Sequence, residues 1–470
     1  MNNIKHFLIK YGVIIGCVFF IVLIKIPHLN LPYSWDEAWS YVPAVIKMAE
    51  NGPSILPASI GIHDTKGHPL LFYFIISGWI KLFTTQIWWV RIMPLLISII
   101  LLVAIYFILI KQTSKPVANT SAILFTVQSL FLAQATLILP EVLLTLFLFV
   151  SIHYFLLNRW SLFALFATLM VLTKETGLVF VMGFGLFYLV ENRHKISTKQ
   201  FWIPILFLSI PVFIYVLHLI LTYKAHGTFF FNDHLNYLTL EKGKLFRVLK
   251  SSTGILFTRY GRNTISAVAI LSLFIIMIRK EKINKSKILL LFITQIILLT
   301  IFTLVNFYTY RYMLPAFPLF ITLSMILFHQ ALYRTKFLYF SLIVVIVLLP
   351  LYYSLTKNGK TDIDLGYAIY LPVHKEMVEF CEKENWDDKI FAAEFNMVLA
   401  LRDPFTGYHS KKQGFKLQNI PSIEDADIIV LDSTGEWDKL PENQINKFKL
   451  IKRFENKNHW GEIYLRIPES

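Results

Sequence analysis

Two adjacent carboxylates, Asp36 and Glu37, stand a short way past the first apolar run, in Tyr33-Ser34-Trp35-Asp36-Glu37-Ala38-Trp39-Ser40-Tyr41. A carboxylate beside a membrane, partly desolvated and aimed at an incoming hydroxyl or amine, can act as a general base and typically changes a rate by ~10²–10⁴-fold. Its neighbour can orient it or hold a cation. Acids at the amino end of a helix also cap it and meet its dipole, a role compatible with catalysis. Acid is scarce in this part of the chain: residues 1–353 hold 10 Asp or Glu, and residues 354–470 hold the other 20. An ionisable group kept beside a bilayer under that scarcity is a functional-site candidate.

A second constellation is His63-Asp64-Thr65-Lys66-Gly67-His68-Pro69, which gathers two histidines, an acid and a lysine ahead of an apolar segment. A phosphate placed there would meet lysine, protonated histidine and a helix amino terminus together. The plainer reading is a solvated loop before a helix-starting proline. Asp36, Glu37 and His63 could hold a divalent ion, although nothing in the sequence requires one, and no other cofactor is implied. Arg91 heads the next apolar run, Lys174-Glu175 separates two short ones, and Arg311-Tyr312 sits in Tyr308–Pro315 at the end of a late one. Together with Arg259 and Arg262 these cations could surround one phosphate, while each alone is explained by snorkelling to an interface. Glu141, following Pro140 at the start of a run, could contact substrate or simply meet the helix dipole.

Elements of a particular kind must hold these residues. The sequence is 56% hydrophobic and 16% aromatic, well beyond what a soluble core needs, which defines a polytopic membrane protein. Apolar runs fall at 9–26, 88–110, 117–134, 141–157, 160–173, 176–190, 201–222, 263–279, 288–306, 313–332 and 337–353, giving about 11 transmembrane helices. The first reads as an uncleaved signal anchor. Lys111 and Lys115, Arg159, Arg193 and Lys195, the cluster Arg279–Lys287, and Arg334 with Lys336 occupy alternate loops. By the positive-inside rule those loops are cytoplasmic, placing the amino terminus inside and the carboxy-terminal tail outside a plasma membrane.

That topology leaves a long first outer loop, 27–87. Its apolar segment Pro69–Phe83 is too short to span and, like Ala38–Glu50, is expected to lie in the interface. A second outer loop, 223–262, carries His226, Asp233, His234, Glu241, Lys242, Lys244, Arg247, Lys250, Arg259 and Arg262, and its excess of cations suits an anionic ligand. Residues 1–353 hold 29 Lys or Arg against 10 acids, and the tail holds 16 against 20. Cations lying between apolar spans fit membrane lipids or phosphates and exclude a nucleic-acid-binding face. From 360 to 470 the chain turns soluble, with a helix expected at Val373–Asn385 and strands at Lys389–Ala393, Asp427–Leu431, Lys449–Phe454 and Glu462–Ile467. The expected architecture is an all-α membrane domain over 1–355 and a small extracytoplasmic α/β domain over 360–470. Two cysteines, Cys17 and Cys381, allow no disulfide framework.

The order of Trp35-Asp36-Glu37-Ala38-Trp39-Ser40-Tyr41, Lys66-Gly67-His68-Pro69-Leu70-Leu71-Phe72-Tyr73, Lys81-Leu82-Phe83 and Val90-Arg91-Ile92-Met93-Pro94 resembles the GT-C superfamily. Within it the likeness is to the protein O-mannosyltransferase and lipid A aminoarabinose transferase group. Leu172-Thr173-Lys174, Arg311-Tyr312-Met313-Leu314-Pro315, Pro318 and the soluble tail extend the likeness along most of the chain. The resemblance implies transfer of a sugar, with inversion, from a polyprenyl (undecaprenyl or dolichyl) monophosphate to a glycan, lipid or protein acceptor outside the cytoplasmic membrane. It implies Asp36 as the base that activates the acceptor, with Glu37 assisting. Lys66, His68, Arg91, Lys174, Arg259, Arg262, Arg311 and Tyr312 would serve the donor phosphate, and His63, Asp64 and Glu141 the acceptor side. The family's usual His-Pro-Pro or Lys-Pro-Pro appears here as Lys66-Gly67-His68-Pro69-Leu70, so either Lys66 or His68 could be the principal phosphate ligand.

The rival class is a polytopic transporter or a flippase or ligase of lipid-linked glycans. A transporter would place ionisable residues or broken helices near the midplane. Here they cluster toward one surface, which favours surface chemistry over passage.

Overall fold

The computed structural model describes residues 2–232, 241–417, 423–437, 439–440 and 442–468. Asp233 and His234 lie outside the described residues.

Apolar segments become helices because hydrocarbon offers no partner for a backbone N–H or C=O beyond the segment itself. Every apolar run falls on a helix: Asn2–Lys25, Ile87–Gln112, Glu141–Leu156, Trp160–Thr173, Gly177–Asn192, Lys199–His226, Arg262–Ile278, Ser286–Val305, Ala316–Leu332 and Lys336–Thr356. Run 117–134 differs, being divided into Lys115–Thr126 and Ser129–Gln134. The division has a polar cause. Gln128 is extended (ψ 130°), its Nε2 donates back to the Leu124 carbonyl (2.7 Å), and its Oε1 accepts from Arg262 Nη1 (3.1 Å). Among the described residues, 5 helices are long and apolar enough to cross a bilayer unaided, and 6 if a bent pair counts as one span. The expected figure of eleven therefore includes several shorter helices, such as Glu141–Leu156, Trp160–Thr173 and Ala316–Leu332.

The first outer loop holds the helical pieces Glu37–Tyr41, Val42–Asn51, Ile62–Thr65 and Leu71–Leu82. Leu71–Leu82 is ~18 Å long at ~1.5 Å per residue, well short of a ~30 Å hydrocarbon core. It packs on Val42–Asn51, with the Tyr41 and Tyr73 rings stacked at 5.4 Å. The second loop contains a helix the sequence reading did not anticipate, Lys242–Thr253, followed by a wide turn, Gly254–Thr258, and a 77° bend into Arg262–Ile278.

The tail is a five-stranded sheet under a helix, Tyr367–Lys383, with a second helix, Phe395–Arg402. The strands are β1 (Ile390–Ala393), β2 (Lys416–Leu417), β3 (Ile428–Asp432), β4 (Phe448–Asn456) and β5 (His459–Arg466), in the order β2-β1-β3-β5-β4. β1 pairs in parallel with β2 and β3, whereas β5 runs antiparallel to both β3 and β4. All five residues of β3 are buried, as expected of a central strand covered on both faces. Helix Tyr367–Lys383 packs on β4 and β5 through residues such as Met377, Val378 and Cys381. The sheet domain docks on the helices through polar contacts: Lys25 Nζ to Tyr367 Oη (2.5 Å), Tyr260 Oη to Asp364 (2.8 Å) and Gln134 Nε2 to the Asp362 carbonyl (2.8 Å).

Candidate active site

Arg311 lies in a single tight turn, Tyr310–Met313, between helices Ser286–Val305 and Ala316–Leu332. Only 5% exposed, it donates from Nη2 to Asp36, from Nη1 to Asp362 Oδ2 (2.8 Å) and from Nε to Glu141 Oε1 (3.2 Å). Lys174 Nζ reaches the same Glu141 oxygen (2.8 Å) and sits 3.9 Å from the centre of the Tyr312 ring. Buried charges of this kind persist only when paired and hydrogen-bonded. The cluster is assembled from five distant parts of the chain: the first loop, the start of Glu141–Leu156, the junction at Lys174, the turn at Arg311 and the linker into the tail.

Glu37 points elsewhere. Both of its oxygens accept from Arg91, Oε1 from Nη1 (2.9 Å) and Oε2 from Nη2 (3.1 Å), and Oε1 also takes the Ile138 N–H (2.7 Å). Arg91, with no exposed surface, gives its remaining bonds to the carbonyls of Leu31 (3.2 Å), Pro32 (3.1 Å) and Thr136 (3.0 Å). The pair fixes the chain on either side of Asp36. Neither acid caps the helical turn that begins at Glu37, since no side-chain cap bond forms there.

Asp36 keeps a third of its side chain exposed (32%), toward a cavity of ≈110 Å³ lined by Trp39, Tyr41, Lys66, His68, Phe231, Phe307, Arg311 and Tyr312 as well. Lys66 enters from a turn in which it and Gly67 are both left-handed (φ 52° and 72°), and its ammonium lies 4.3 Å from the centre of the Trp39 ring. Gly67 is needed twice, for its φ and because a Cβ there would come within 3.1 Å of the Phe231 Cβ. His68 pairs through Nδ1 with Glu175 Oε2 (2.9 Å) and stacks on Tyr41 with ring centres 6.1 Å apart.

These contacts set the charge states. Burial alone would raise the Asp36 carboxyl, but the Arg311 guanidinium outweighs it and holds the group below the usual carboxylate range. Partial burial would likewise raise Glu175, but its His68 partner, with Lys174 beside it, holds it well below that range. Burial would weaken the Arg311 cation, but Asp36, Asp362 and Glu141 together raise it well above its ordinary value. At neutral pH Asp36 is therefore a carboxylate.

Of the residues marked in the sequence, Asp36, Lys66, His68, Arg311 and Tyr312 meet at the cavity, with Lys174 and Glu141 directly behind them. Arg91 is withdrawn behind Glu37. Arg262 is fully buried against Phe317 and Gln128 and also lies away from the cavity. Arg259 donates to Tyr310 Oη (2.9 Å), one residue from Arg311. Asp64 pairs with Lys47 (2.7 Å), and His63 packs edge-on against Phe231 (5.5 Å between centres). Sequence reasoning gave no role to Asp362 or Glu175, the partners of Arg311 and His68. The available signal for Asp362 was that it is the first acid after the last apolar run. Asp36 and Glu37 do not converge on a common point, and among the described residues no group of three or more His, Cys, Asp or Glu could hold a metal ion.

The family model for dolichyl-phosphate-mannose-protein mannosyltransferases matches residues 67–218 of this chain. ArnT from Cupriavidus metallidurans, in its crystal structure bound to undecaprenyl phosphate, superposes with a TM-score of 0.59 at 10% identity, covering 96% of this chain and 98% of that one. The apo oligosaccharyltransferase of Archaeoglobus fulgidus superposes at 0.53 and 11% identity, covering 90% of this chain and 70% of that one. No curated protein sequence matches. The chain thus has the fold of the GT-C glycosyltransferases, a multi-pass helical bundle with a small carboxy-terminal sheet domain. The resemblance drawn along most of the chain, with its most specific signal in residues 33–94, is borne out by a family match over 67–218 and by the fold over nearly the whole chain.

Proposed function

We propose that this chain is an inverting glycosyltransferase that moves a hexose or pentose from a polyprenyl monophosphate to an acceptor at the outer face of the cytoplasmic membrane. The observation that carries this reading is the cavity beside Asp36, where one carboxylate faces Lys66, His68 and Arg311. Cations at the donor phosphate would stabilise charge as it develops on the leaving group, while Asp36 accepts the proton of the acceptor hydroxyl or amine. Glu37 acts indirectly, anchoring the loop through Arg91. Glu141, itself paired with Lys174, holds Arg311 in place from behind. The likeness to ArnT, crystallised with undecaprenyl phosphate, supports the lipid half of the donor.

The cavity falls below the ~300 Å³ typical of the smallest ligand pockets, so phosphate and sugar together would require lining side chains such as Phe231 and Phe307 to move. Arriving phosphate would also compete for Arg311, loosening Asp36 from it and raising its basicity at the moment the acceptor needs it. The test is to incubate purified protein with a panel of undecaprenyl- and dolichyl-phosphate sugars, together with envelope extracts that supply glycan, lipid and protein acceptors, and follow release of the polyprenyl phosphate. Turnover of at least one donor supports the reading, and turnover of none contradicts it.

A further inference from the structure

Trp35, the residue before Asp36, has a left-handed backbone (φ 49°). For a bulky residue that conformation is strained and persists only where the surroundings over-determine it. Those surroundings belong to the carboxy-terminal sheet domain. The Trp35 N–H donates to Asn396 Oδ1 (3.2 Å), and its indole N–H donates to Tyr370 Oη (3.1 Å). Two residues earlier, the Tyr33 N–H donates to the Thr406 carbonyl (2.8 Å). Asn396 is itself oriented, since its Nδ2 donates to Thr434 Oγ1 (3.3 Å), whose residue is held by Asp432 through its N–H (2.7 Å) and hydroxyl (2.5 Å). Asp362, at the head of the same domain, accepts from the guanidinium that holds Asp36.

We propose that the sheet domain is a positioning part of the acid site: Asn396 and Tyr370 fix the backbone at Trp35, and Asp362 fixes the guanidinium on which Asp36 rests. The proposal depends on the reading of Asp36 as the base. A domain that only packed against the bundle would have no need to take up the polar hydrogens of the strained residue next to the acid. Displacement of a reacting group by ~1 Å can cost ~10²-fold in rate, so the domain would act on turnover more than on donor binding.

Three variants of the full chain test this. Asn396→Leu removes the acceptor at similar size, Asn396→Asp keeps an oxygen acceptor, and Tyr370→Phe removes only a hydroxyl. With an undecaprenyl-phosphate sugar that the native enzyme turns over, Asn396→Leu should lower kcat by ~10- to 100-fold with donor KM within twofold, and Asn396→Asp should restore most of the loss. Hydrogen–deuterium exchange, which needs no substrate, should rise at residues 33–36 in Asn396→Leu while β3 and β5 keep native protection. The proposal is overturned by native kcat in both Asn396→Leu and Tyr370→Phe, by a loss in Asn396→Asp equal to that in Asn396→Leu, or by exchange rising throughout the sheet. If Asn396→Leu does not fold, Tyr370→Phe carries the same readouts. Asp36→Asn separates the two readings: native activity there removes the base, whereas an inactive Asp36→Asn beside fully active Asn396→Leu and Tyr370→Phe removes the positioning role alone.

Discussion

A carboxylate held by a guanidinium is a weaker base than a free one, so the proposed role of Asp36 as base requires its partner to loosen before it takes a proton. This has a measurable consequence. The pH dependence of kcat/KM reports free enzyme, and that of kcat reports the substrate complex. Because Asp36 is held below the usual range, the acid limb of kcat/KM should fall below ~pH 4, activity being present above that point and lost as pH falls through it. If donor phosphate draws Arg311 away, the acid limb of kcat should lie at higher pH than that of kcat/KM. Coincident limbs would show that the pair stays closed during turnover. Lys66 makes a second prediction at this scale: Lys66→Met should weaken undecaprenyl phosphate binding by ~10-fold, about the ~1.4 kcal/mol expected when one charge-assisted contact is lost. Unchanged affinity in an equilibrium binding assay would remove Lys66 from the phosphate site.

Among the elements, the loop 31–37 is the one the site depends on most, and a buried ion pair fixes it. Removing one partner of such a pair typically costs ~3–5 kcal/mol because the other charge is left buried. Arg91→Met should therefore lower the thermal midpoint of the detergent-solubilised protein, whereas Lys66→Met, at a half-exposed site, should leave it within a degree or two. Equal midpoints for Arg91→Met and the native chain would deny the clamp. The helices were legible in the sequence because apolar runs have few other ways to satisfy their backbones in lipid. The break at Gln128 was not, since it arises from a contact with Arg262, 134 residues away. Asp36, Lys66, His68 and Arg311 were legible as residues whose charge is out of place in an apolar chain. Which cations face the cavity was not, because Arg91 and Arg311 look alike in sequence and differ only in the carboxylates that folding brings to them. Asp362 and the Trp35 contacts escaped for the same reason, their partners lying far apart along the chain.

For the molecule as a whole, the separation of charge between bundle and tail makes topological sense if the basic loops are cytoplasmic and the acidic sheet domain is outside. Both native cysteines are buried, so a single introduced thiol can report orientation. Lys412→Cys, at an exposed position in the tail, should react with a membrane-impermeant maleimide on intact cells. Labelling only after lysis would reverse the proposed topology. The sheet domain fills out the same picture. Its contacts with Lys25, Tyr33, Trp35, Tyr260 and Arg311 hold it against the bundle at several points, three of them beside Asp36.

The most direct measurement is release of undecaprenyl phosphate from a panel of undecaprenyl-phosphate sugars in the presence of envelope extracts that supply glycan, lipid and protein acceptors, run with native protein and Asp36→Asn side by side, with undecaprenyl phosphate affinity recorded for both. The native protein is expected to turn over at least one donor, and Asp36→Asn to lose ~10²-fold or more of that rate while binding undecaprenyl phosphate at least as tightly, since Arg311 is then free of its carboxylate partner. Turnover by Asp36→Asn at the native rate, or the absence of turnover in the native protein on every donor, would contradict this reading.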